Sequence, residues 1–205
     1  MTRIAVVDHG AGNLVSIKRG LERAGADVAI ADHPGGFEGA DGVVLPGVGT
    51  TGAAMLRLRS EGLVGPLIDW QGPLLGICVG LQLFFDWSDE HEGGPCLGLM
   101  PGSVKRLERA PLLPHIGWND VAMTDHPIFS GLGNGTPFYF VHSFAPAPAD
   151  GDVVIGTADY GSSFVAAVAQ GARIGVQFHP ERSGDAGLQV LGNFVDVCAE
   201  AARAA

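Results

Sequence analysis

The chain has few basic residues and no long hydrophobic run. Its 205 residues contain 12 Lys and Arg against 22 Asp and Glu, a formal net charge of −10. A chain with this excess of acidic groups repels phosphate backbones, which excludes charge-driven binding of nucleic acid. The longest nearly apolar run, residues 74–85, is interrupted by Gln82. It is also shorter than the roughly 20 residues that a membrane-spanning helix needs.

Cysteine is equally scarce. Cys78, Cys96 and Cys198 are an odd number in a chain long enough to bury a core without disulfides, so a disulfide framework is not expected. The N-terminal residues lead directly into an apolar stretch and lack the cleavage region of a signal peptide. We therefore expect a cytoplasmic protein with reduced thiols. The histidines lack the spacing of metal ligands, and we expect neither a metal nor a cofactor.

Apolar residues and glycine are abundant. Hydrophobic residues make up 46% of the chain, which excludes intrinsic disorder, and 32 glycines without a fixed period indicate many tight turns. In the first half, short apolar runs alternate with helical patterns, which is typical of βαβ units and a mainly parallel sheet covered on both faces. We predict strands at residues 4–7, 27–31, 42–45 and 74–77, and helices at 14–24, 51–70 (broken near Gly62 and Gly65) and 79–87.

The pattern changes after residue 97. Short strand-like runs follow one another with turns between them, and a final helical pattern closes the chain. Neither a linker nor an internal repeat is visible, so we predict one α/β domain over residues 1–205 with an antiparallel extension. The predicted strands are residues 102–107, 136–141, 152–157, 163–168 and 173–178, and the predicted helix is 185–202.

The segment Gly76-Ile77-Cys78-Val79-Gly80 lies where a predicted strand meets a predicted helix. This G-x-C-x-G pattern has the form of a nucleophile elbow with Cys in place of Ser. The glycines permit a sharp turn that presents the thiol to solvent, and the start of the helix favours the thiolate. A buried core cysteine is the alternative interpretation, and the pentapeptide alone does not decide between the two.

A candidate base follows the last predicted strand, in Gln177-Phe178-His179-Pro180-Glu181. A histidine with a glutamate two residues later suits an imidazole that a carboxylate orients. A surface loop is the alternative interpretation of this segment taken alone. Together with the cysteine elbow it predicts a Cys–His–Glu arrangement.

Residues 45–49, Leu-Pro-Gly-Val-Gly, come directly after the third predicted strand. Small residues at the carboxyl end of a parallel strand leave backbone N–H groups free to bind an anion. An ordinary turn is the alternative for this segment alone. Beside a nucleophile, the amides of Val48 and Val79 become candidates for an oxyanion hole.

These three segments, in this order and spacing, resemble the class I, triad-type glutamine amidotransferases over nearly the whole chain. The resemblance implies a three-layer, flavodoxin-like α/β fold in which Cys78, His179 and Glu181 hydrolyse glutamine to glutamate and ammonia. Two positions depart from the usual pattern, since His9 stands where Tyr is usual and Phe144 where an aromatic hydroxyl is common. Further segments are similar to the glutaminase subunits of imidazole glycerol phosphate synthases: residues 8–14, 114–119 and 138–144.

The resemblance also implies binding residues. Gln82 follows Cys78 by four residues and so shares its helix face, whereas a solvated run of acidic residues is the alternative interpretation of Glu90. Trp118 and Asn119 are expected to contact a (β/α)₈-barrel cyclase subunit, with a core position as the alternative for Trp118. The residues expected to bind glutamine are Gly47, Gly49, Gln82, Glu90, Ser143 and Phe144.

The implied function is to supply ammonia, within a heterodimer, to a cyclase that makes imidazole glycerol phosphate and an aminoimidazole carboxamide ribonucleotide in histidine biosynthesis. One alternative is a free-standing glutaminase subunit for anthranilate, nucleotide or pyridoxal phosphate synthesis, which the segment 114–119 opposes. A regulatory domain that has lost catalysis is opposed by the intact triad. A cysteine peptidase or thiol hydrolase of the same architecture is opposed by Gln82 and Ser143.

Overall fold

The computed structural model describes residues 1–10 and 12–204, so Ala11 of the 8–14 segment lies outside the described residues. The α-helices are α1 (Leu14–Arg23), α2 (Thr51–Ser60), α3 (Val64–Asp69), α4 (Val79–Gln82) and α5 (Gly184–Ala204). The strands are β1 (Arg3–Val7), β2 (Asp27–Ala31), β3 (Gly42–Leu45), β4 (Leu74–Ile77), β5 (Trp87–Ser88), β6 (Gly94–Pro95), β7 (Gly102–Arg106), β8 (His115–Met123), β9 (Thr136–His142), β10 (Phe144–Pro148), β11 (Val154–Asp159), β12 (Ser163–Gln170) and β13 (Arg173–Val176). None of the helices in the described ranges has both the length and the apolar character to cross a membrane.

Nine strands form one sheet in the order β2-β1-β3-β4-β13-β12-β11-β8-β9. The first five of these pair in parallel, and the other four continue the sheet in antiparallel pairing. Every residue of β3 and β4 is buried, as expected for parallel strands with helices on both faces. A smaller sheet has the order β10-β7-β5-β6. The predicted α/β fold with an antiparallel extension is confirmed.

Local sequence sets the buried face and the C-terminal end of α1. Ile17 and Leu21 are four residues apart on one face of the helix, and both are buried. Gly25 follows the helix with φ 90°, a conformation that glycine adopts without steric cost. The N–H of Ala26 then donates to the carbonyl oxygen of Leu21 over 3.1 Å, which closes the helix end. The predicted helix end is therefore confirmed.

The predicted helix 79–87 is wrong in length, because α4 ends at Gln82. The residues that follow, Leu83, Phe84 and Phe85, are all fully buried. Three consecutive side chains cannot share one face of a helix, so the chain leaves the helix to bury each of them. The strand predicted at 152–157 begins at Val154 instead, since residues 151–153 form a 3₁₀ turn.

Four strands were not predicted: the two-residue strands β5 and β6, and the longer strands β8 and β10. In β8 burial alternates along the strand, but the exposed positions include the large apolar residues Ile116 and Trp118, so the sequence does not alternate between apolar and polar residues. β10 contains Pro146 and Pro148, which normally argue against a strand. It lies at the edge of the smaller sheet, where a proline is tolerated because one side of the strand needs no ladder hydrogen bond.

Three adjacent parallel strands bring the three sequence segments to one edge of the sheet. Leu45 in β3 is in register with Gly76 in β4, and Ile77 in β4 is in register with Val176 in β13. The residues that follow these strands therefore leave the sheet at the same level. The carboxyl edge of a parallel sheet is where α/β proteins bind their ligands.

Replacing Gly80 should destabilise this edge. A Cβ at residue 80 would overlap the backbone carbonyl of Leu45, which cannot move without distorting β3. We expect Gly80→Ala to lower the free energy of unfolding by about 1–3 kcal/mol, as for other overpacked sites. Urea unfolding measures this change.

Gly52→Ala is the matched control. Gly52 lies in α2, and an added Cβ there would have no neighbour within 4 Å. Alanine is the better helix former, so we expect a gain of about 0.5–1 kcal/mol. Equal effects of the two substitutions would contradict the close approach described for Gly80.

Candidate active site

Cys78 occupies the sharp turn between β4 and α4. Its backbone has φ 54° and ψ −109°, a strained conformation for a residue other than glycine. The N–H of Cys78 donates to the carbonyl oxygen of Val176 over 2.8 Å, which ties the turn to β13. The flanking glycines are needed because a Cβ on Gly76 would lie 2.8 Å from the backbone nitrogen of Leu81. The turn expected of a nucleophile elbow is present.

The sequence suggested that the turn presents the thiol to solvent. In the structure the thiol does not project into open solvent. Cys78 is only 3% exposed and lies in the wall of a cavity of about 350 Å³. The turn directs the side chain across the edge of the sheet, where β9 and the segment after β13 cover it. Its contact with the cavity distinguishes it from a core cysteine such as Cys198, which is fully buried on α5.

His179 and Glu181 form a buried pair behind this thiol. Nδ1 of His179 lies 3.0 Å from Oε1 of Glu181, and both side chains are almost fully buried. Since Nδ1 is engaged by the carboxylate, Nε2 is the ring nitrogen left to meet the sulfur. Burial lowers the pKa of His179, but the hydrogen bonds and negative charges of Cys78 and Glu181 outweigh burial and raise that pKa to about 10. The protonated form of the imidazole is thus favoured beside the sulfur of Cys78.

The backbone around His179 is fixed by β9. The N–H of His179 donates to the carbonyl oxygen of Tyr139 over 2.9 Å. The hydroxyl of Ser183 donates to the carbonyl oxygen of His179 over 2.7 Å and accepts from the N–H of Tyr139 over 3.0 Å. Ser183 was not singled out from the sequence, because its role depends on a strand 44 residues away along the chain.

The cavity brings together most of the residues predicted for the site. Gly47 is outside the lining, because it packs where a Cβ would lie 2.8 Å from the backbone nitrogen of Gly80. Glu181 lies behind His179 rather than in the wall. The predicted residues that line the cavity are Val48, Gly49, Cys78, Val79, Gln82, Glu90, Ser143, Phe144 and His179, and the further lining residues are Pro114, Val141, His142 and Arg182.

Glu90 is not part of a freely solvated acidic run. Its Oε2 accepts a hydrogen bond of 2.8 Å from the backbone N–H of Thr51, the first residue of α2. A carboxylate is favoured at the N-terminus of a helix by the free N–H groups there. The side chain also lines the cavity, so the carboxylate is held in place at its wall. Its role in binding remains a prediction.

Two glutamine side chains connect the cavity wall to the thiol. Nε2 of Gln82 donates to the carbonyl oxygen of Phe144 over 2.9 Å and to Oε1 of Gln177 over 3.0 Å. Nε2 of Gln177 in turn points at Sγ of Cys78 over 3.5 Å. Sequence reasoning missed Gln177, although an amide in an otherwise apolar run directly before His179 was a usable signal.

Part of the predicted oxyanion segment lines the cavity. Val48 and Val79 both line the cavity, and Val79 begins α4, where the N–H groups lack helical partners. His9 anchors the segment, since its Nε2 lies 2.8 Å from the carbonyl oxygen of Pro46, which can only accept. No group of His, Cys, Asp or Glu in the described part of the chain is arranged to hold a metal ion.

Trp118 lies on the surface, so its interpretation as a core residue is wrong. Trp118 and Ile116, two residues apart in β8, are 57% and 60% exposed and face the same side. The ring of Trp118 contacts that of Tyr139 edge-on at 6.1 Å. The side chain of Asn119 donates to the carbonyl oxygen of Asp159 over 2.7 Å, and its role as a partner contact remains a prediction. We call Ile116 and Trp118 the β8 surface.

A larger cleft, of about 800 Å³, lies between α5 and residues 123–134. Its lining contains no cysteine and none of the residues predicted for the site. The smaller cavity therefore carries the predicted nucleophile, Cys78, and the predicted base, His179.

Comparison with known proteins decides the family. The family model described as Glutamine amidotransferase class-I matches residues 5–198. The chain belongs to the class I glutamine amidotransferase family. The fold agrees, since the structure of PurLQS from Thermotoga maritima superposes with a TM-score of 0.72 at 20% identity, covering 95% of this chain and 98% of that one.

Curated relatives show which branch of this family the chain belongs to. The imidazole glycerol phosphate synthase subunit HisH of Moorella thermoacetica is 45% identical, over 100% of this chain and 99% of its own length. The HisH subunit of Synechococcus sp. (strain JA-3-3Ab) is 44% identical, over 99% and 97% of the two chains. Identity at this level over whole chains makes this amidotransferase a member of the HisH family, and the resemblance inferred from its motifs is confirmed.

Cys78 should be the one reactive thiol. Burial raises the pKa of Cys96 to about 11 and that of Cys198 to about 12, so both stay protonated at neutral pH. We expect a diazo-ketone analogue of glutamine to label Cys78 alone, as read by peptide mass spectrometry. The Cys78→Ala variant is the control and should take up no label. Labelling of Cys96 or Cys198 at a comparable rate would contradict the assignment.

The charge state of His179 should depend on Cys78. In Cys78→Ala the hydrogen bond and negative charge that raise the pKa of His179 are lost, while burial, which lowers it, remains. We expect that pKa to fall from about 10, as followed by NMR titration of the ring. Cys96→Ala is the control and should leave the pKa of His179 unchanged. An equal pKa of His179 in the native protein and in Cys78→Ala would contradict the coupling between these two residues.

Proposed function

We propose that this chain, as one domain over residues 1–205, hydrolyses glutamine to glutamate and ammonia with Cys78, His179 and Glu181. The observation that carries the proposal is a cysteine in a strained elbow that shares one cavity with a histidine held by a buried glutamate. Family membership and the likeness to HisH subunits agree with this chemistry.

In the first step, the thiolate of Cys78 attacks the side-chain amide carbon of glutamine. The imidazolium of His179 then gives its proton to the amide nitrogen, the C–N bond breaks and ammonia leaves. The raised pKa of His179 means that this proton is already in place before the attack. The carboxylate of Glu181 holds the ring in the useful orientation and stabilises its positive charge.

In the second step, His179 acts as a base. Once Cys78 carries a glutamyl thioester, the sulfur no longer has the negative charge that holds the proton on His179. The neutral ring removes a proton from water, the resulting hydroxide attacks the thioester, and glutamate leaves as the thiolate re-forms. The amides of Val48 and Val79 would stabilise the oxyanion in both steps, each worth about 3–4 kcal/mol if well aimed.

Glutamine itself is placed by the cavity wall. Glu90, fixed at the start of α2, supplies a negative charge for the α-ammonium group of the substrate. Gln82, Ser143 and Phe144 supply polar groups in the same lining, to which Gly49 also belongs. Gly47 contributes from outside the lining, because its lack of a side chain lets α4 pack closely against it. No cofactor takes part in this chemistry.

The ammonia would pass to a partner. We propose a heterodimer with a (β/α)₈-barrel cyclase subunit, which makes imidazole glycerol phosphate and an aminoimidazole carboxamide ribonucleotide in the histidine pathway of the cytoplasm. The β8 surface is the proposed contact, with Trp118 at its centre and Asn119 beside it. This surface adjoins Tyr139, whose backbone holds His179, so docking acts close to the base.

The test is a glutaminase assay with and without the cognate cyclase and its ribonucleotide. We expect slow hydrolysis by the isolated chain and strong stimulation in a 1:1 complex. Equal rates with and without the cyclase would contradict the proposed subunit function. Stimulation by an anthranilate, nucleotide or pyridoxal phosphate synthase would favour the alternative.

The docking surface is tested in the same assay. Trp118→Ala should weaken binding of the cyclase by about 2 kcal/mol or more, the usual cost of losing an interface anchor. Leu56→Ala is the control, because Leu56 is 68% exposed but lies on α2. Equal loss of affinity in the two variants would remove the β8 surface from the interface.

A further inference from the structure

Two buried histidines outside the triad form a pair at the cavity wall. His142 ends β9 and lines the cavity, and His115 begins β8 beside it. We propose that His142, held in one tautomer by His115, is a positioning residue that sets the turn presenting Ser143 and Phe144 to glutamine. This proposal rests on the proposed glutaminase function.

The hydrogen bonds determine the tautomer of each ring. Nδ1 of His142 lies 2.9 Å from the carbonyl oxygen of Phe144, which can only accept, so Nδ1 carries the proton. In a neutral ring Nε2 is then an acceptor. Nδ1 of His115 lies 3.1 Å from that Nε2 and must donate to it. His115 therefore orients His142 much as Glu181 orients His179.

The surroundings keep both rings neutral. Burial lowers the pKa of His142 to about 4, and the nearby imidazolium of His179 acts in the same direction, whereas the bond to the Phe144 carbonyl raises that pKa. Burial also lowers the pKa of His115, whose ring stacks on Tyr160 with centroids 4.0 Å apart. A neutral His142 places no second positive charge next to the imidazolium of His179.

The bond from His142 closes a turn in the binding wall. It joins residue 142 to the carbonyl of Phe144, and Ser143 lies between them at the junction of β9 and β10. The same carbonyl accepts from Nε2 of Gln82 over 2.9 Å. Because the other hydrogen of that amide goes to Gln177, the oxygen of Gln82 is the group left to accept from a substrate. His142 thus acts on binding rather than on the chemical step.

The test compares three variants in the complex with the cyclase. His142→Leu removes the donor, and we expect KM for glutamine to rise about fivefold to tenfold, the effect of one lost hydrogen bond, with little change in kcat. His142→Asn keeps an N–H near the position of Nδ1 and should restore most of the affinity. His115→Phe keeps the stack on Tyr160 but frees the tautomer, so KM should rise in the same direction. His126→Leu, a histidine in the larger cleft, is the control and should leave KM unchanged.

Nitrogen-15 NMR of the imidazoles is the second measurement, and it needs no variant to fold. We expect the proton of His142 on Nδ1 in the native protein. A proton on Nε2, an unchanged KM in His142→Leu, or a fall in kcat alone would each overturn the positioning role. Absence of glutamine hydrolysis by the native complex would instead overturn the proposed function, while the NMR result still decides the tautomer.

Discussion

The site depends on one backbone constraint, the turn that leaves β4 at Cys78. A residue with φ 54° at the end of a buried strand is stable only where the surroundings enforce it. Here the enforcement is steric, because α4 starts so close to β3 that residue 80 has no room for a side chain. The register of β4 with β13 then brings His179 opposite the sulfur. The relative placement of Cys78 and His179, the proposed nucleophile and base, thus follows from strand pairing.

The charges of the two histidines in the cavity wall also follow from where the fold places them. A histidine buried alone would lose its proton, yet two negative partners keep His179 charged. Its neighbour His142 has no such partners and stays neutral. The two histidines thus differ in charge. A protonated His179 suits proton transfer, and a neutral His142 suits holding the backbone. The exposed β8 surface, the proposed docking site, lies on the strand that starts at His115, and His115 contacts His142 in the cavity wall.

Sequence reasoning succeeded where a local pattern has one physical cause. Gly76 and Gly80 mark a close backbone approach, and the order of apolar strands and helices predicts the parallel half of the sheet. It failed where the cause is distant along the chain. β10 is a strand because β7 pairs with it, despite its prolines. Gln177 and His142 contact Cys78 and His115, which lie 99 and 27 residues away along the chain, and only the folded arrangement brings these pairs together.

The central claim is that Cys78 carries the glutamyl group during turnover. Mass spectrometry of the complex, quenched with acid during glutamine hydrolysis and digested, measures this directly. The account predicts one glutamyl adduct, on the peptide that contains Cys78 and on no other. Release of ammonia without any adduct, or an adduct on a different residue, would contradict it.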